Sequence, residues 1–144
     1  MENPEKIIHK DNLLAIIMYA SFQKDGIAFF TTDEFSQQLG YMKRPSGYVI
    51  VPHRHNLVKR EVKQTQEVLF MKSGVVRVDF YDDEQNYLRS KILKQGDVIL
   101  LASGGHGFEI IEEAEIIEVK QGPYVGDLDK VRFEHVDSNK LLME

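Results

Sequence analysis

Four side chains in this sequence have the chemistry to hold a divalent cation. They are His53 and His55 in VPHRH, Glu67 in TQEVLF and His106 in SGGHGF. If Gly47–His55 is a strand, the two histidines point the same way, because successive strand side chains alternate between faces. Two imidazoles on one face reach one cation at about 2.0–2.1 Å each. The same pair also fits two surface histidines in a charged loop. Glu67 is expected to open the next strand, and antiparallel pairing to the histidine strand would bring its carboxylate to the same face. His106 lies among Gly104, Gly105 and Gly107, whose backbones take conformations that bulkier residues resist; the plain alternative is a turn-exposed histidine. Three imidazoles and one carboxylate suit zinc, iron, manganese or nickel, and leave coordination positions open for water or substrate. Glu61, with five residues between it and His55, is the alternative carboxylate. His9 and His135 match no such pattern and read as surface or packing residues.

The rest of the composition narrows the chemistry. The chain has no cysteine, so disulfides, thiolate ligands and cysteine nucleophiles are excluded. With 144 residues, 42% of them hydrophobic and 28% charged, one domain with a core of its own is expected. The net charge of −5 argues against a dedicated nucleic-acid binder. The segment from Lys43 to Lys63 runs against that balance, with six basic residues against one acid, a net of +5. It reads either as a solvated loop or as an anion-attracting rim beside the histidines. The N-terminus has no basic n-region, and the apolar run Leu13–Ala20 is too short to span a bilayer, so a cytoplasmic protein with no membrane partner is expected.

The elements that must position these residues are β-strands. GYVIVPHRH alternates as a strand would. EVLFMKSGVVRVDFYD reads as two strands joined in a hairpin at Lys72-Ser73-Gly74. In its second half Val76, Val78 and Phe80 predict a buried face, and Arg77 and Asp79 a wet one. Turns are expected at DDEQN (82–86), KQGD (94–97), SGGHG and EEA (112–114), with Gly122-Pro123 ending the last strand. LLAIIMYA fits a strand better than a buried helix, and TTDEFSQQL fits a turn or one helical turn. Short strands with turns every eight to twelve residues predict an all-β sandwich or small antiparallel barrel. The barrel core is expected over about 44–120, with N-terminal strands in 1–43 and a tail in 121–144.

These residues resemble the cupin superfamily. Its first motif runs Gly, five residues, His-x-His, a short gap, Glu, six residues, Gly. Gly47, YVIVP and His53-Arg54-His55 fit, as do Glu67, VLFMKS and Gly74. The gap between His55 and Glu67 is eleven residues, against three or four in the family. The second motif is matched by GDVILLASGGH through Gly96, Gly104 and His106, with Ala102 in place of proline and one residue fewer before the histidine. The resemblance covers roughly residues 44 to 120 and implies a double-stranded β-helix, or jelly roll, with one divalent metal ion on His53, His55, Glu67 and His106. A narrower similarity, to small WbuC-like cupin metalloproteins, rests on HRHN, TQEVLF, GGHGFE and EVKQGPY. It implies a homodimer and a place in surface-polysaccharide or nucleotide-sugar metabolism.

On that basis the expected function is metal-assisted isomerisation or epimerisation of a sugar or sugar nucleotide. Two metal-based alternatives are a non-enzymatic ligand-binding or regulatory cupin and an Fe(II)-dependent oxygenase. A metal-free alternative makes His53 or His106 a general base. Arg54, Arg60, Lys120 and Tyr124 are candidate contacts to a small polar or anionic ligand. For Tyr124 the competing reading is a cap on the barrel or on a dimer contact.

Overall fold

A computed structural model describes residues 3–144. The chain is mostly β. Its strands are β1 (Glu5–His9), β2 (Asn12–Met18), β3 (Gly26–Phe29), β4 (Gly40–Lys43), β5 (Glu67–Tyr81), β6 (Tyr87–Lys94), β7 (Val98–Leu101) and β8 (Gly105–Lys120). Two 3-10 turns, Gly126–Leu128 and Ser138–Lys140, interrupt the C-terminal tail. Among the described residues no helix is long and apolar enough to cross a membrane.

One antiparallel sheet carries the order β1-β2-β7-β5-β6, and β8 pairs with the other edge of β5. β3 and β4 form a separate hairpin. β2 lies between β1 and β7 and buries four consecutive residues, Leu14 to Ile17. That is why LLAIIM lacks clean alternation: both faces of the strand are covered. Leu14, Ala15 and Ile17 join the main core of Ile7, Leu69, Met71, Val76, Val78, Phe80, Leu93, Ile99 and Leu101. Ile16 turns the other way, onto Leu39 and Leu100, with Phe30 and Phe35 packed alongside. Residues outside 44–120 therefore supply part of the core.

β5 is the spine of the fold. Its first part (67–70) pairs with β7, its second (75–81) with β6, and nearly its whole length with β8. The expected hairpin at Lys72-Ser73-Gly74 is instead a bend within one continuous strand. Three register irregularities between Met71 and Val76 absorb the change of direction. Gly74 sits at φ +86°, and a Cβ there would collide with the Glu113 carbonyl and approach Ala114 Cα to 2.6 Å. The expected turn at Glu112-Glu113-Ala114 is the matching bend in β8. The turn chemistry marked both places, but partner strands on each side keep the ladder going. The β5–β8 pair thus curls over on itself and gives the sheet the shape of a half-barrel.

Other expectations are met in detail. Asp82 N–H bonds the Asn86 carbonyl, Asp97 N–H bonds the Lys94 carbonyl, and Gly104 at φ +71° leads into β8. β8 ends at Lys120, just before Gly122-Pro123. TTDEFSQQL makes a turn, closed by Phe35 N–H on the Thr32 carbonyl.

Two readings are corrected. The face of β5 carrying Arg77 and Asp79 is buried, not wet. Arg77 donates to Asp79 from Nε at 2.8 Å and Nη2 at 3.1 Å, Ser90 Oγ donates to the same carboxylate, and Arg77 Nη1 reaches Glu109 at 2.5 Å. The C-terminal tail covers part of this face: Val136 N–H bonds Tyr81 Oη at 2.9 Å, and Leu142 and Glu144 pair with Ser90. Second, GYVIVPHRH is not a strand. Residues 44–66 contain neither helix nor strand, and every residue from 42 to 65 is exposed. The alternation is present, but no edge in this chain takes up its backbone groups.

Candidate functional site

The curl of β5 and β8 builds the site. Glu67 pairs with Lys120 at one end of the ladder, and His106 pairs with Phe80 near the other. Along a flat sheet these ends would lie on the order of 40 Å apart. The bend at Gly74 folds them together, and His106 Nε2 meets Glu67 Oε1 at 3.3 Å. Both side chains are largely withdrawn from water, Glu67 to 14% exposure and His106 to 29%.

Around this pair lies a cleft of about 670 Å³. Its floor includes Glu67, Tyr81, His106, Phe108 and Glu118, and its far wall is the tail from Asp129 to His135. Phe133 packs edge-on against Tyr81 at 5.0 Å, and Thr65 Oγ1 donates to Asp129 at 2.7 Å, which holds the tail in place. The size suits a small ligand.

The charges in the cleft are tuned. The hydrogen bond from His106 pulls the Glu67 pKa down from its ordinary 4.5 to about 2, against the opposing effect of burial; the hydrogen bond it shares with Glu118 pulls the same way. Glu118 moves in the opposite direction, because its hydrogen bond to Glu67 is kept only while it holds a proton. Lys120 bonds Asp129 at 3.4 Å, which raises the lysine and helps to lower the aspartate. Thus one carboxylate is held ionised beside an imidazole, and a second is biased towards its acid form.

Of the four expected metal ligands, the structure joins Glu67 to His106. His53 and His55 sit on the exposed segment 44–66, with ring centroids 5.4 Å apart, and His53 Nδ1 lies 2.9 Å from the Val51 carbonyl. Among the described residues no group of three or more histidine and carboxylate side chains gathers to hold a metal ion. Glu61, the alternative carboxylate, pairs with Lys63 at 3.7 Å on the same segment. Of the four expected donors, one chain therefore brings two into contact, Glu67 and His106.

Among the expected ligand contacts, Lys120 stands beside the cleft through its bond to Asp129. Tyr124 is 83% exposed and has Lys120 Nζ 5.9 Å from its ring centre. Arg54 and Arg60 are on the exposed segment, and the basic groups that line the cleft are Lys130 and Arg132. Sequence reasoning missed Glu118, Asp129, Lys130, Arg132 and His135. Glu118 was accessible in principle: it shares a strand face with Lys120, two polar residues in an otherwise apolar run. The tail residues carry no periodic signal, and only the folding of the tail over the cleft reveals them.

No family model, curated protein or solved structure matches this chain.

Proposed function

We propose that the half-barrel is a cupin-type domain whose cleft binds a small anionic ligand, of the sugar or sugar-nucleotide class, and moves a proton on it. The observation that carries this reading is the Glu67–His106 contact across the folded ladder. Counted back from Gly74, Glu67 is in the register of the cupin motif, and the bend at that glycine brings it against the histidine of the second motif.

The three central groups divide the work. Glu67 is too weak a base to take a proton near neutral pH, because it is held well below the usual carboxylate range. Its role is to fix the ring of His106 and to keep a negative charge at the cleft floor. Glu118, biased towards its protonated form, is the proton-carrying group. Two carboxylates with opposite tendencies in one cleft are the arrangement from which acid and base roles are assigned. Lys130 and Arg132 on the tail favour an anionic substituent at that wall, while the carboxylates of Glu67, Asp82, Asp83, Glu118 and Asp129 leave the rest of the cleft to the ligand's hydroxyl donors. Isomerisation or epimerisation needs a group that removes a proton and returns it: the ionised form of Glu118, a stronger base than Glu67 because its pKa is raised, takes the proton, and the acid so formed gives it back.

The divalent-metal reading is supported by the same pair, since an ionised carboxylate beside an imidazole supplies two nitrogen and oxygen donors. His53 and His55, the other two donors of that reading, lie on the exposed segment of the same chain.

Calorimetric titration with a panel of nucleotide sugars tests the ligand class. Binding should weaken with salt and fall about tenfold in the Lys130→Ala/Arg132→Ala double variant. Glu118→Gln should keep binding and lose turnover by about a hundredfold or more. Salt-independent binding would rule out the anionic ligand, and full turnover in Glu118→Gln would remove Glu118 from the mechanism.

A further inference from the structure

Two features are left unpartnered, and they match each other. The first is the outer edge of β8. β8 pairs with β5 on one side, and no described strand takes the other. An edge of 16 residues is long for one left bare. It also presents apolar side chains to water: Phe108, Ile110, Ile111, Ile117 and Val119. It is acidic, with Glu109, Glu112, Glu113, Glu115 and Glu118 against the single Lys120. The second feature is Gly47–His55. Tyr48, Val49, Ile50 and Val51 are 50–75% exposed. Among the described residues its one backbone hydrogen bond to a backbone partner is local, from Tyr48 N–H to the Pro45 carbonyl. The segment around it carries the positive charge, and among the described residues no strand pairing joins it to its own β8.

We propose that Gly47–His55 of a second copy of this chain adds as an antiparallel strand to the free edge of β8, and that the exchange is reciprocal. Strand addition to a bare edge satisfies both sets of unpaired backbone groups. Where each chain gives its segment to the other, both edges are filled and the assembly closes as a two-fold dimer. The basic segment meets the acidic strand, so the charges complement each other. One register opposes Val51 to Ile110, His53 to Phe108 and His55 to His106, with Arg54 diagonal to Glu109. Opposed residues share a face, so both histidines of the incoming strand lie on the face that carries His106. The partner's His53 and His55 then stand beside Glu67 and His106, and the donor set that one chain lacks is assembled from two. This last consequence rests on the metal-binding reading; the strand exchange does not.

Light scattering after size exclusion tests the exchange. The wild-type chain should be a dimer. Val51→Pro, which cannot pair at that position, should be a monomer with an unchanged circular dichroism spectrum; Ile110→Asp is the second, independent variant on the acceptor side. A monomeric wild type, or dimers that survive both substitutions, would overturn the proposal. Zinc content tests the shared site. His53→Ala/His55→Ala and Glu67→Gln/His106→Ala homodimers should each bind zinc at least about tenfold more weakly than wild type. A co-refolded heterodimer of the two should recover about one tight zinc per pair, because one of its two sites is intact. Tight zinc in wild type with none in the heterodimer would place the site within one chain and sink the sharing. A wild-type dimer that dissociates with Val51→Pro yet never binds zinc would remove the metal reading and leave the exchange standing.

Discussion

The β5–β8 ladder and the segment 44–66 carry the two halves of one sequence motif, yet they behave in opposite ways. In the ladder, each residue with strand character has a neighbour to pair with, even through the irregularities around Gly74. In the segment, equally strong strand character yields no strand at all. The difference is not propensity. Val49, Ile50 and Val51 are as suited to a strand as Val75 and Val76. A strand is a pairwise structure whose backbone groups need a partner edge. The ladder has its partners within the chain, and the segment does not. The comparison also explains the site. Glu67 and His106 meet because both lie on the ladder, and His53 and His55 do not join them because they lie on the segment.

Substitutions should separate the two regions by their cost. The largest effect is expected at the bend. Gly74→Ala forces a Cβ into the Glu113 carbonyl at a positive φ, so it should cost about 4 kcal/mol or more in urea unfolding. Next is the buried pair in the second half of β5. Asp79→Ala leaves Arg77 with Glu109 alone as counter-charge and Ser90 Oγ without its acceptor on a buried face, and should cost about 3 kcal/mol.

A smaller, pH-dependent effect is expected at the site. Glu67 has a depressed pKa, so its contribution is fully present above its ordinary value of 4.5 and is lost as pH falls towards about 2. Glu67→Gln should therefore cost about 1–2 kcal/mol at pH 7, less the screening that partial exposure allows, and close to nothing at pH 2. A cost independent of pH would mean that the ionised carboxylate is not what the substitution removes. The smallest effect belongs to the segment. Val49→Ser should change unfolding by no more than about 0.5 kcal/mol when measured at dilutions where the chain is monomeric. A large loss there would show that the segment packs within its own chain after all.

Much of the fold was legible because its signals are local. The turns at 82–86 and 94–97, the strand nature of LLAIIM and the stop at Gly122-Pro123 follow from residues close in sequence. The bends at Gly74 and at Glu112–Ala114 were half legible. Turn residues announce a change of direction, but whether a strand ends or merely bends depends on what lies on either side of it. Arg77 and Asp79 were misread for a related reason. Alternation tells two faces apart, but it cannot tell that a C-terminal tail will cover the second one.

The candidate site divides along the same line. The sequence by itself determined that no thiolate would do any metal chemistry, and that six residues separate Glu67 from Gly74, as in the motif. It also determined that His106 follows a glycine turn. Those are matters of composition and spacing along one chain. Only the tertiary structure decided that Glu67 and His106 touch, that Glu118 shares their cleft, and that Lys130, Arg132 and His135 line its other side. Each of these is a contact between residues distant in sequence, made when the curl of one ladder brings its two ends together and a tail without periodicity folds over them.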